Sequence, residues 1–241
     1  MYLGRIVGVG LSPRGVPFAV YGVTGRSEKS QRRLARISDD GRLVRITPID
    51  ALTPEQEAIK DLLIYTAFRT DASGSVLFVT NGSQTDRMVE ALQRDPRRAR
   101  TTIVEEVLDA MGAEPDDPIR TPRIAASIDG LTREAVLGTV TRDHAAAALP
   151  IMLKEPSQAL CLATYTGDDK EPAAPTFENL RQILRPVALV GESAEELAGA
   201  FYAWLEMTHG NYIVCTAAAY WNERSSRWDY AVRNRHARSA P

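Results

Sequence analysis

Short β-rich runs separated by turn residues fill most of this chain, and helical periodicity is confined to a few segments that cluster instead of alternating with the strands. Residues 2–10 and 18–24 are strand-like and are parted by Ser12-Pro13-Arg14-Gly15. Residues 33–37 and 42–47 flank Asp39-Asp40-Gly41, a hairpin signal. Residues 62–69 and 75–80 flank Asp71-Ala72-Ser73-Gly74, and further strands are expected at 123–128, 135–142, 145–153, 159–166, 212–220 and 228–232. Thr53 and Pro54 open a short helix. Apolar residues at helical spacing mark 84–94 and 102–111, the latter closed by Gly112. A capping box, Ser193-Ala194-Glu195-Glu196, opens a helix through Trp204 and Leu205. About ten strands and three or four segregated helices argue against a doubly wound parallel sheet. They predict an α+β fold in which two packed sheets are covered by helices. With no repeat or linker evident, residues 1–232 read as one domain and 233–241 as a basic, mobile tail.

Composition narrows the function. The 241 residues carry a net charge of -2, which gives no support for general nucleic-acid binding. No apolar run approaches the roughly 20 residues of a membrane helix, and Met1-Tyr2-Leu3-Gly4-Arg5 is not the start of a signal peptide. A cytoplasmic protein without membrane partners is expected. Of the 29 basic residues only Lys29, Lys60, Lys154 and Lys170 are lysines; arginine is the better bidentate phosphate ligand. Cys161 and Cys215 lie in apolar, strand-like surroundings and read as reduced core residues. With His144, His209 and His236 the only histidines, no zinc spacing can be built, and no metal is expected.

Several residues can carry chemistry. Asn81-Gly82-Ser83-Gln84-Thr85-Asp86 ends a strand and starts a helix, a place where side chains and backbone amides meet an anion or polarised carbonyl. Taken alone it is more simply a capped turn, with Ser83 as N-cap and Asp86 at the third helical position. Tyr65 and Arg69 are an even number apart and so share a strand face; an arginine beside a phenol can lower its pKa from about 10 and make it an acid or base. A cross-strand aromatic with a solvated arginine is the commoner outcome. Arg5, Arg26, Arg32, Arg33 and Arg123 are candidate anion ligands, Arg26 beside Gly25 and Arg123 among small residues, although any one of them is more often a surface residue. There is no Gly-x-Ser-x-Gly elbow, no Cys beside a His and no Walker loop.

In order along the chain, Met1-Tyr2-Leu3-Gly4-Arg5-Ile6, Arg26-Ser27, Tyr65 with Arg69, Asn81–Asp86, Thr121-Pro122-Arg123-Ile124-Ala125-Ala126, Ala163-Thr164-Tyr165 and Thr216-Ala217-Ala218-Ala219 resemble the archaeal-type IMP cyclohydrolases. The resemblance implies a four-layer αββα sandwich like that of the N-terminal nucleophile hydrolases. Removing Met1 would expose Tyr2, so such a fold would lack the nucleophile. It further implies dehydrative closure of 5-formamidoimidazole-4-carboxamide ribonucleotide to IMP, the last step of purine synthesis, with no cofactor. By the same resemblance Tyr65 is the acid/base, Asn81 a polar ligand of the reacting amides, and Arg26 with Arg32 or Arg33 the holder of phosphate or ring. Arg5, Arg69 and Arg123 rank behind them. The segment Glu28-Lys29-Ser30-Gln31-Arg32-Arg33 lacks the family's usual aromatic and proline, leaving two registers for the second arginine. Thr66 stands where an amide is expected, and the loop 114–118 lacks an expected lysine. A paralogue acting on another nucleotide-like amide, or a non-catalytic nucleotide-binding protein, are the competing readings. Self-association is common for layered enzymes of this size, so a homo-oligomer is possible on this reading.

Overall fold

The computed structural model describes residues 2–116, 118–168 and 170–236. Thirteen strands are found among them: β1 (Arg5–Leu11), β2 (Pro17–Thr24), β3 (Arg33–Ile37), β4 (Leu43–Pro48), β5 (Tyr65–Thr70), β6 (Val76–Thr80), β7 (Arg123–Asp129), β8 (Ala135–Val140), β9 (Ala147–Ile151), β10 (Gln158–Ala163), β11 (Arg185–Ala188), β12 (Ile213–Asn222) and β13 (Arg227–Asn234). The helices are α1 (Glu28–Gln31), α2 (Pro54–Glu57), α3 (Lys60–Leu63), α4 (Gln84–Arg94), α5 (Arg100–Met111) and α6 (Ala194–His209). The fold is α+β with two antiparallel sheets. One has the order β11-β10-β1-β2-β12-β13, and the other is a seven-stranded meander from β3 to β9.

Strand alternation decides what each face covers. In β6, Val76 and Phe78 join α4 and α5 through Met88, Val89, Leu92, Ile103, Val104 and Leu108, whereas Leu77 and Val79 face the other sheet. Side chains one residue apart point to opposite faces, so a strand buried on both sides reads as a continuous apolar run. In the first sheet α6 lies across β2, β12 and β13. Gly22 lets it lie close: a Cβ there would stand 2.8 Å from Leu205 and 3.0 Å from Phe201. The inner faces meet through Tyr21, whose ring packs edge-on against Phe68 at 6.3 Å. Asn234 ties the edges of the two sheets together, its side chain accepting from the Ala35 amide (2.8 Å) and donating to the Ala35 carbonyl (3.0 Å). The strand therefore continues past residue 232, where the expected tail begins; residues 237–241 of that tail lie outside the described residues.

Several local expectations change. Leu62 and Leu63 belong to a helical turn, not to β5, because a short apolar run fits either period. The Ser193 hydroxyl accepts from the Glu196 amide as expected, but Glu196 caps the Glu192 amide instead of returning the bond. His144 precedes β9 in a turn and stacks on Phe177 at 4.8 Å. Cys161 and Cys215 are free and buried. Among the described residues, no helix is long and apolar enough to cross a membrane.

Candidate active site

One end of the sandwich gathers the start of β1, the end of β2, the starts of β3, β5 and β7, and the ends of β6 and β10. A cleft of about 540 Å³ opens there, lined in part by Tyr2, Arg5, Arg26, Arg33, Thr121 and Tyr165. Larger hollows, about 640 Å³ around Tyr220 and about 870 Å³ around Met152, lie elsewhere. Buried charge favours the smaller one, since Arg5 and Arg33 line it with little exposure and Arg5 is paired with the buried Glu114.

Gly4 sets the position of Arg5. Its φ of +69° is strained for any side chain, and a Cβ would stand 2.3 Å from Thr164 Oγ1 and 2.5 Å from the Tyr165 ring. Its carbonyl accepts from both the amide (2.7 Å) and hydroxyl (3.0 Å) of Thr24. Arg5 then reaches Glu114 across 109 residues of sequence, Nη2 to Oε2 at 2.6 Å. Its Nε is buried with no hydrogen-bond partner among the described residues. Burial pushes the Glu114 carboxyl above its ordinary value, and Arg5 and Arg123 oppose that rise. Burial also pulls Arg5 down, but Glu114 and the surrounding phenols more than reverse it. The result is a buried ion pair at the base of the cleft.

Asn81 has a different place from the one the resemblance implies. It is 1% exposed. Its Nδ2 donates to Glu114 Oε1 (3.1 Å) and the Pro122 carbonyl (3.0 Å), and its Oδ1 accepts from Gln84 Nε2 (2.8 Å) and the Ile124 amide (2.8 Å). Two donors and two acceptor bonds exhaust a carboxamide. Asn81 therefore holds Glu114 and has no capacity left for a ligand. Arg123 likewise turns inward, donating to Gln84 Oε1 (3.0 Å) and the Gly112 carbonyl (3.1 Å), and burial lowers its pKa. Gly82 is required because a Cβ would stand 2.6 Å from Gln84 Oε1 and 2.9 Å from Arg123 Nη1. Ser83 makes no side-chain cap bond; the Thr80 and Thr85 hydroxyls, 2.6 Å apart, organise the turn instead.

Tyr65 is 4% exposed, and its hydroxyl lies 2.7 Å from that of the fully buried Tyr21. Burial raises its pKa while Arg33 and Arg5 oppose the rise, so the expected depression by Arg69 is not found. The reason is a β-bulge: Val44 pairs with Phe68 but Arg45 with Thr66, leaving Ala67 extra. The extra residue inverts the parity beyond it. Arg69 leaves the inner face and pairs with Asp86 at 2.6 Å, which also accepts from Thr66. Arg32 is also outside, half exposed and paired with Asp50 at 2.6 Å. Arg33 is the arginine of that pair which lines the cleft, anchored by its Nε to the Ser30 carbonyl (2.9 Å). Arg26 spans the mouth, its guanidinium 5.1 Å from the centre of the Tyr2 ring.

The structure thus brings Arg5, Arg26 and Arg33 to one cleft, leaves Tyr65 buried within the electrostatic influence of Arg5 and Arg33, turns Asn81 and Arg123 inward, and pairs Arg32 and Arg69 with carboxylates elsewhere. Glu114, Gln84, Asp116 and Tyr21 had no site role in the sequence reading, although Gln84 stands in the 81–86 segment and Glu114 and Asp116 in the 114–118 loop that it named. Glu114 sits in a Pro- and Asp-rich loop that looks solvated, and only the distant Arg5 gives it meaning.

A family described as IMP cyclohydrolase-like protein matches residues 2–225. The IMP cyclohydrolase of Methanocaldococcus jannaschii is 32% identical over 219 residues, covering 90% of this chain and 93% of that protein. That of Methanocella arvoryzae is 32% identical over 222 residues, covering 91% and 92%.

Proposed function

The chain belongs to the IMP cyclohydrolase-like family, and from that premise we propose that it closes the pyrimidine ring of 5-formamidoimidazole-4-carboxamide ribonucleotide, releasing IMP and water. What supports the residue assignment is the buried Tyr65 phenol, hydrogen-bonded to Tyr21 and under the electrostatic influence of Arg5 and Arg33, two arginines that line a cleft together with Arg26. In the reaction the carboxamide nitrogen forms a bond to the formyl carbon, the formyl oxygen takes up negative charge, and that oxygen leaves as water. Arg26 and Arg33 hold the phosphate end. Arg5, fixed by Glu114, stabilises the developing oxyanion. Tyr21 is fully buried, and giving its proton to Tyr65 leaves the Tyr65 proton to be donated to the oxyanion. Holding the two amides of one molecule in contact contributes much of the rate. The layering of α6, two sheets, and α4 with α5 fits the four-layer αββα sandwich of the N-terminal nucleophile hydrolases, used here without a nucleophile. Incubation with the formamido ribonucleotide, followed by ultraviolet absorbance and mass loss of one water, tests the activity. Turnover is expected to fall at least 100-fold in Tyr65→Phe; full turnover in that variant rules out Tyr65 as the acid.

A further inference from the structure

The wall formed by β10 and the 114–121 loop carries a chain of hydrogen bonds whose direction is fixed by chemistry. The Thr121 amide donates to Asp116 Oδ1 at 2.7 Å, and the Thr121 hydroxyl donates to Asp116 Oδ2. The same hydroxyl lies 2.6 Å from the hydroxyl of Tyr165. A carboxylate only accepts, and threonine has one hydroxyl proton. The proton between Thr121 and Tyr165 must therefore come from Tyr165. Tyr165 spends its only proton on the wall, so its hydroxyl can offer only a lone pair to a ligand in the cleft that the residue lines. Its ring is held in place by stacking on Tyr2 at 5.7 Å and by close approach to Gly4.

We propose that Tyr165 is an obligate hydrogen-bond acceptor for the attacking carboxamide N–H of the substrate, with Asp116 and Thr121 as positioning residues that fix its polarity. This rests on the cleft being the ring-closing site. Phosphate and carbonyl oxygens of the substrate only accept, and arginines meet them. Ribose hydroxyls can donate or accept, so they need no wall of fixed polarity. The carboxamide nitrogen bears only donors toward the protein, and its lone pair must be free to meet the formyl carbon. An acceptor on its N–H side aims that nitrogen. The product keeps one N–H at this position, so it retains the bond.

Asp116→Asn tests the direction with almost no change of volume. The new amide oxygen still accepts from the Thr121 amide, while its NH₂ donates to the Thr121 hydroxyl. Thr121 then donates to Tyr165, and the Tyr165 proton swings into the cleft against the substrate N–H. The expected loss in kcat/KM is roughly 10–100-fold, the cost of opposing donors at a desolvated site. Tyr165→Phe should lose a similar factor. In the double variant Asp116→Asn with Tyr165→Phe, the loss should match that of Tyr165→Phe alone within about twofold. Thr121→Ser should keep wild-type kcat/KM and Thr121→Val should not. The dissociation constant of IMP, measured by calorimetry, should follow the same pattern. Losses that multiply in the double variant overturn the acceptor assignment and leave the ring-closing reading standing. A wild-type protein that neither turns over the formamido ribonucleotide nor binds IMP overturns both.

Discussion

Replacing Asn81 separates a ligand from a structural clamp. A ligand of the reacting amides would cost activity and little stability when removed. The structure predicts the reverse emphasis. Asn81→Ala removes four hydrogen bonds at a site 1% exposed. At a net contribution of about 1 kcal/mol each, the loss is about 4 kcal/mol. That is a large share of the roughly 5–15 kcal/mol that holds an ordinary domain together, and about 8–16 °C in Tm for a chain of this size. Asn81→Asp gives a second, independent number. Its oxygens can still accept from Gln84 and Ile124, but it faces Glu114 at the 3.1 Å that the amide now spans. Two full charges at that distance repel by about 5 kcal/mol at an effective dielectric constant near 20, so the pair keeps one proton on folding. The native state then binds more protons than the unfolded chain, and stability falls as pH rises. The slope is about 1.4 kcal/mol per pH unit, from the ordinary carboxylate range up to the raised value of the pair. Urea melts of the wild type, Asn81→Ala and Asn81→Asp between pH 4 and 8 measure both effects. An Asn81→Ala protein within 1 kcal/mol of wild type, but inactive, would refute the clamp and restore Asn81 as a ligand.

The two displaced arginines should be dispensable: Arg32→Ala and Arg69→Ala break half-exposed pairs worth at most about 1 kcal/mol and should leave kcat/KM within twofold, while Arg33→Ala and Arg26→Ala raise KM for the ribonucleotide at least tenfold in steady-state assays. Glu114 has its pKa raised by burial, so its favourable contribution is complete below the ordinary carboxylate range and is lost as pH rises through the raised value; the stability of wild type relative to Glu114→Gln should therefore shrink with increasing pH in urea melts. Burial raises Tyr65, so the alkaline limb of kcat/KM should lie above pH 10, and a limb near neutrality would count against it.

Much of the fold was legible because strand period and turn chemistry are local. The hairpin at Asp39-Asp40-Gly41, the α4 and α5 periods and the α6 cap all follow from residues within a few positions of one another. What failed was non-local. The parity argument that put Tyr65 beside Arg69 assumes an unbroken strand, and the bulge at Ala67 exists only in the pairing of β5 with β4. The short edge strand β11, Arg-Pro-Val-Ala, has no period to detect and forms by pairing with β10. Asn81-Gly82 drew attention as a ligand site, whereas its hydrogen bonds are structural. The glycine makes room for the Gln84–Arg123 bond, and the asparagine joins β7 and Glu114 to the end of β6. Glu114 was invisible because a buried carboxylate in a polar loop is recognised only by its partner, and Arg5 is 109 residues away.

On the proposed assignment, the environment of Tyr65 favours one half of acid/base chemistry as its start. A phenol whose pKa is raised by burial holds its proton at neutral pH, so it enters the reaction as an acid. Ring closure suits such a group. Attack moves a proton from the carboxamide nitrogen to the formyl oxygen, and dehydration moves a second from nitrogen to the departing oxygen. A phenol that gives its proton to oxygen and recovers one from nitrogen ends each step neutral. The transient phenolate is the costly species, and two influences reduce the cost: Arg33 and Arg5 both lower the Tyr65 pKa, and the Tyr21 hydroxyl, 2.7 Å away, can donate to a phenolate oxygen, which can only accept. Glu114 pulls the other way by raising it. It does so while pairing with Arg5 at 2.6 Å, so the carboxylate costs some phenolate stability and in return fixes the guanidinium that the proposed reaction assigns to the oxyanion.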